Sequence, residues 1–222
     1  MELRIFVLIL LFMVKEKISH LENILKNASL SDWKSHKKLA PALRLRYTDD
    51  MIAKKKPRDA AVLILVYPNK KQELSILLTK RADYNGTHAA QISFPGGKKE
   101  DTDKSLLQTA LREAQEETGI NPNKLKFIKE LSKTYIPPSN FWVHPFVFTT
   151  DKRPNFKLNY EVDHIIEFPL SELVNPNNLQ SKILNTSYMK NASVPCFKYK
   201  NEIIWGATAM ILSELKDLIN YA

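Results

Sequence analysis

The sequence has one cysteine, Cys196, in 222 residues. It holds no internal disulfide, and the thiol has no ligand companions for a metal site, so the chain suits a reducing compartment and is expected to be cytoplasmic. There is no Walker-type loop ending Gly-Lys-Ser/Thr and no Gly-x-Ser-x-Gly turn, which removes two common routes to nucleotide and ester chemistry. Internal repeats, low-complexity tracts and Arg-Gly tracts are absent too. The one long apolar run, residues 5–14, is too short to cross a bilayer. Lys15-Glu16-Lys17 follows it in place of a small-x-small cleavage pattern. The run reads first as a buried or dispensable leader, with Met13 as an alternative start, then as a membrane-associating segment, and last as a secretion signal. No stable membrane insertion is expected.

Positive charge is plentiful: 33 Lys and Arg stand against 24 Asp and Glu, a formal net charge of +9. That excess draws polyanions, and without basic-aromatic interleaving a polyanionic small molecule is favoured over nucleic acid. A hydrophobic content of 44% supports a sizeable core. The chain divides at residue 58. Before it come the apolar leader, a helix beginning near Val14 whose apolar positions Ile18, Leu21, Ile24 and Leu25 keep a helical period, and a basic arm over residues 33–58. The arm is expected to have little regular structure and to serve solvation, packing, or the guidance of an acidic substrate. Residues 59–222 form the main domain.

In that domain, 60–67 reads as a buried strand, 74–79 as its hairpin partner, and 125–131 and 141–149 as further strands. Residues 134–140, with Pro137-Pro138, read as a rigid loop. An alternating strand over 160–168 includes Glu161, 176–192 reads as loop with a little strand, a hairpin closes around 200–202, and an amphipathic helix spans 207–219. The stretch on which function turns is 96–119. From about residue 104 to Thr118 it holds helix formers without Gly or Pro, and Gly119 stops it. Leu107, Ala110, Leu111 and Ala114 share one side. Glu113, Glu116 and Glu117 share another, and like charges at i, i+3 and i, i+4 weaken a helix unless a cation sits over them. Magnesium and manganese are hard ions that take such oxygen ligands together with substrate phosphates. Gly96-Gly97, read as a turn, lets backbone come close to an anion or metal. Arg81 and His88 are candidates for phosphate binding, since a guanidinium grips phosphate oxygens through two bonds.

Gly97, Asp103 and Arg112-Glu113-Ala114-Gln115-Glu116-Glu117-Thr118-Gly119 together resemble the signature box of the Nudix hydrolases. Two features depart from the general pattern: Asp stands where the family has Glu, and eight residues rather than seven precede the Arg. The longer gap resembles the coenzyme A pyrophosphatase branch, as do Leu77 to Arg81, His88 to Gly97, Ser139 to Pro145 and Ile204 to Ala209. Ala90 and Gly86 stand where that branch usually has Gly and a basic residue. The resemblance implies an α/β/α sandwich with a mixed sheet and the metal-dependent hydrolysis of coenzyme A or acyl-coenzyme A. Metal (Mg²⁺ or Mn²⁺) would be held by Glu113, Glu117, Glu116 and the Gly97 region, with Arg112 orienting the glutamates. Arg81, His88, Phe94, Ser139 and Phe141 would contact substrate, with Tyr135, Phe141 or Trp142 either stacking on adenine or packing in the core. Glu161 would be the carboxylate from outside the box. ADP-ribose, NADH or another dinucleotide is the alternative substrate, and a non-catalytic nucleic-acid module is a remote one.

Overall fold

The computed structural model describes residues 2–82, 91–186 and 188–220, with side chains from residue 12 onward. The helices and strands lie in the order α1 (Glu2–Asn27), α2 (Asp32–His36), α3 (Ala42–Leu45), α4 (Asp49–Lys54), β1 (Arg58–Pro68), β2 (Leu74–Arg81), β3 (Ile92–Ser93), β4 (Gly96–Lys98), α5 (Leu106–Thr118), β5 (Lys126–Glu130), β6 (Thr134–Ile136), β7 (Phe141–Thr149), β8 (Val162–Pro169), α6 (Leu170–Val174), β9 (Leu179–Thr186), β10 (Met189–Tyr199), β11 (Glu202–Trp205) and α7 (Gly206–Asn220).

Strand β1 is apolar on both faces because both faces are covered. Ala61, Leu63, Leu65 and Tyr67 point to one side, where they pack with Ala110 and Ala114 of α5. Ala60, Ile64 and Val66 point to the other and join Ile211, Leu212, Leu215 and Leu218 of α7 and Leu21 and Leu25 of α1. The period of two along the strand thus assigns α5 and α7 to opposite layers. Each fully buried Leu or Ile contributes about 1.5–3 kcal/mol, so β1 anchors both layers at once.

The main sheet runs β3-β2-β1-β7-β5, with β4 added to β1, β6 to β7 and β8 to β2. Strands β1 and β7 are parallel, in register from Arg58 opposite Phe141 to Val66 opposite Thr149. Strand β1 is antiparallel to both β2 and β4. The sheet is therefore mixed, and helices cover both of its faces, as expected. Strands β11-β10-β9 form a separate sheet of three.

Five expectations are corrected. The helix expected from Val14 begins at Glu2, so the apolar run belongs to one continuous helix. The basic arm is folded into α2, α3 and α4, because a few of its residues reach the core: Leu39, Ala40 and Ile52 are buried, as are Ser35, His36 and Arg44. Gly96-Gly97 is not a turn but strand β4, with Ala61 opposite Gly97 and Val62 opposite Gly96. Residues 134–136 are strand β6, and residues 179–199 are the long hairpin β9-β10. Among the described residues no helix is long and apolar enough to cross a membrane.

The arm is tied down by polar contacts as well. Glu214 of α7 is fully buried, and its carboxylate accepts from Ser132 N at 3.0 Å and Ser132 Oγ at 2.5 Å. It also meets His36 Nε2 at 3.2 Å. Lys38 pairs with Asp217 at 2.6 Å, and Ser213 Oγ donates to the Ser35 carbonyl at 2.9 Å.

Candidate active site

Helix α5 has defined ends. Ser105 Oγ accepts from Gln108 N, and Gln108 Oε1 accepts from Lys104 N at 2.8 Å, which satisfies donors at the first turn. Gly119 closes the helix in the left-handed region, φ 70°, and a Cβ there would lie 2.8 Å from Lys157 Cβ. This fixed register presents Glu113 and Glu117, four apart, to β4.

The approach of β4 to α5 is set by the two glycines. A Cβ on Gly96 would lie 2.3 Å from the Ala61 carbonyl oxygen, and one on Gly97 would lie 2.4 Å from the Glu113 carboxyl. At Gly96 the neighbouring backbone leaves room only for hydrogen, and at Gly97 a side chain would have to displace the Glu113 carboxyl. Arg112 then braces the loop between β4 and α5. Its Nε and Nη2 donate to the two oxygens of Asp103 at 3.0 and 2.9 Å, and its Nη1 donates to Glu113 at 3.0 Å and Glu116 at 3.2 Å. The Lys98 carbonyl accepts from Nη2 at 3.2 Å. The guanidinium fork, with further bonds from Thr109 Oγ1 and Glu100 N, holds the Asp103 carboxyl far below the usual carboxylate range. Asp103 was legible in the sequence only as a spacing mark; its structural part is to aim Arg112.

The glutamates have different environments. Glu117 is buried, and burial pushes its pKa up to about 8; Glu113 and Glu161 add to the rise, while Arg81 and a Gly96 backbone hydrogen bond oppose it. Burial also raises Glu113, against the pull of Arg112. Glu116 is more than half exposed and turned towards Arg112. The reason is angular: residues four apart stack along a helix face, whereas Glu116 lies about 100° around from Glu117. Arg81, expected to meet phosphate, bridges Glu161 at 3.2 Å and Glu117 at 3.7 Å.

A cavity of about 600 Å³ opens beside these groups, within the range of small-molecule sites. Glu113, Glu117, Glu161, Gly97 and Arg81 line it, together with Phe94, Ser139 and Phe141. Of the expected residues, Glu116 and Arg112 do not line it, and His88 lies outside the described residues. Glu161 falls just before β8 rather than inside it. The sequence reading missed the far wall, which includes Arg44 of the arm, Tyr188 and Met189 at the β9-β10 hairpin, and Trp205 and Thr208 near the start of α7. Trp205 and Thr208 fall in the 204–209 stretch that resembles the branch, whereas the signal for Arg44 was the arm's basic content, which also fits a solvated segment.

The donor set suits a hard divalent cation. All its side-chain donors are oxygens, two are half-buried or buried carboxylates whose pKa burial raises, and a Cβ on the glycine strand would fill the space beside Glu113. Among the described residues no three acidic, His or Cys groups are yet drawn into a ready-made metal cage. Arg81 carries part of the compensating charge.

The site thus sets buried Glu117 and half-buried Glu113 against a close-packed glycine strand beside a cavity of about 600 Å³. A NUDIX domain model matches residues 57–187. Proteins described as uncharacterized Nudix hydrolase NudL, from Yersinia pestis (strain Pestoides F) and Yersinia pseudotuberculosis serotype O:1b (strain IP 31758), are each 35% identical over 164 residues, 73% of this chain and 80% of theirs. A solved structure of a MutT protein from Methanosarcina mazei Go1 is 20% identical, with a TM-score of 0.47 over 74% of this chain and 96% of that one. The chain belongs to the Nudix hydrolase family.

Proposed function

We propose that the protein hydrolyses the pyrophosphate bond of coenzyme A or its thioesters, giving 3′,5′-ADP and 4′-phosphopantetheine or its acyl form. The observation that carries this reading is the cavity itself. Its lining combines acidic groups for a metal, Glu113, Glu117 and Glu161, with apolar and aromatic residues such as Phe94, Tyr135, Phe141 and Trp205, which suits a ligand with a pyrophosphate, an adenine and a long uncharged arm. The branch-like spacing ahead of Arg112 supports the same substrate.

Glu113 and Glu117, with the backbone near Gly97, would hold Mg²⁺ or Mn²⁺, and Glu161 is the candidate carboxylate from outside the box. When bound, the ion supplies charge neutralisation at phosphorus and lowers the pKa of an attacking water. Arg112 keeps Glu113 and Glu116 oriented through its two Nη1 contacts. Arg81 sits where it can exchange its carboxylate partners for phosphate oxygens. Phe94 and Phe141 give the cavity an apolar lining, and Ser139 offers a hydroxyl beside Pro137-Pro138. No covalent enzyme intermediate is required.

The test is a substrate panel with purified protein and Mg²⁺ or Mn²⁺: coenzyme A, acyl-coenzyme A, ADP-ribose, NADH and a diadenosine polyphosphate. The reading expects the highest kcat/KM for the coenzyme A class. A preference for ADP-ribose or NADH would replace that substrate while leaving the enzyme class in place.

A further inference from the structure

Arg44 is 93% buried, since only 7% of its surface is exposed, yet no carboxylate lies within ion-pair distance of it among the described residues. Its guanidinium stacks over the Trp33 ring at 4.3 Å and stands 5.8 Å from the Tyr135 ring. Nη1 donates to the Tyr47 carbonyl at 3.1 Å. Nε is buried with no hydrogen-bond partner. Burial depresses the guanidinium pKa, and the field of Asp49 opposes this only in part. Arginine remains charged under such conditions, so a cation with an unpartnered Nε is among the residues that line the same cavity as Glu113 and Glu117.

The segment bearing it is held firmly. Tyr135 Oη donates to Asn140 Oδ1 at 2.9 Å, and Asn140 Nδ2 donates to the Lys55 carbonyl at 3.0 Å, joining the Pro137-Pro138 loop to the arm. A donor fixed in place by stacking on two aromatic rings is preorganised for an anion. Arg81 already serves the carboxylate end, so Arg44 is available to a different charge on the same ligand.

We propose that Arg44 binds a phosphate monoester carried on the nucleotide away from the scissile anhydride, and so makes the N-terminal arm a specificity element of the site. This rests on the reading of the cavity as a nucleotide site. It goes beyond that reading by naming the ligand feature selected and the residue that selects it.

The test is calorimetric binding of adenosine 3′,5′-bisphosphate, adenosine 2′,5′-bisphosphate and AMP to the full chain without metal, for the wild type, Arg44→Gln and Arg44→Lys. The wild type should bind one bisphosphate about 10- to 100-fold tighter than AMP, the range of a charge-assisted hydrogen-bonded contact. Which isomer wins identifies the position of the phosphate. Arg44→Gln should abolish that preference and leave AMP affinity unchanged. Arg44→Lys keeps the charge but not the fork, and should retain only part of the preference. Equal weakening of all three ligands in Arg44→Gln would mean a purely structural arginine and overturn the proposal, as would an unaltered preference. If Arg44→Gln does not fold, Arg44→Lys decides: a preference equal to the wild type's overturns it. Because the assay reads binding and not turnover, failure of the coenzyme A substrate in the panel leaves this result separately interpretable.

Discussion

Arg112 and Asp103 meet through two parallel hydrogen bonds, Nε to Oδ1 at 3.0 Å and Nη2 to Oδ2 at 2.9 Å. The pair locks the loop before α5 to the helix that bears the glutamates. Asp103→Asn should cost about 2–3 kcal/mol in urea denaturation, the range for hydrogen bonds to charged groups. The Asp103 carboxyl is held below its ordinary value, 3.8, so its contribution is present above that value and lost as pH falls through the lower folded value. The stability gap between wild type and Asp103→Asn should therefore be constant from pH 6 to 8, begin to narrow below about pH 4, and vanish only as pH falls through the lower folded value.

Gly96 and Gly97 are neighbours with opposite tolerances. An added Cβ at Gly96 strikes backbone, the Ala61 carbonyl oxygen, whereas at Gly97 it strikes the end of the Glu113 side chain. Gly96→Ala should disrupt the β1-β4 pairing and lower stability by at least 2 kcal/mol, roughly the middle of the overpacking range. Gly97→Ala should cost about 1 kcal/mol, because a carboxylate can swing aside, but lower kcat about 100-fold by displacing Glu113. Thermal melts and kcat measured on both variants separate the two effects.

Glu214 is the buried anchor of the arm. Removing its carboxylate in Glu214→Ala takes a hydrogen-bond partner from Ser132 N and Ser132 Oγ and leaves buried His36 with Thr134 Oγ1 alone, at a cost of about 3 kcal/mol. The arm should loosen with it, and limited proteolysis should show faster cleavage within residues 33–58 than in the wild type. Unchanged protection there would show that the apolar contacts of Leu39 and Ile52 hold the arm alone.

Much of the main domain was legible because its signals are local. The doubly buried β1 is a continuous apolar run, α5 carries its own cap and stop, and β7 occupies the span that the sequence suggested. Strand β9 was not legible, since nearly all its side chains are exposed and no alternation marks it. The arm was missed for the opposite reason: only a few scattered residues, among them His36, Leu39 and Ile52, reach the core, and their partners lie far away in sequence. The box glutamates could be placed on a common face from their spacing, but not the separation of buried Glu117 from exposed Glu116. That depends on which side of α5 meets β4, a tertiary fact.

Glu117 is the buried carboxylate proposed to hold the metal. Glu117→Gln removes a carboxyl whose ionisation burial opposes, so the metal-free variant should be as stable as the wild type or more so. Incubating wild type and Glu117→Gln with coenzyme A and Mn²⁺, and separating the products by chromatography, is the direct measurement. The account predicts equal amounts of 3′,5′-ADP and 4′-phosphopantetheine from the wild type, none without metal, and a loss of at least about 1,000-fold in the variant. Turnover by Glu117→Gln close to that of the wild type would contradict it.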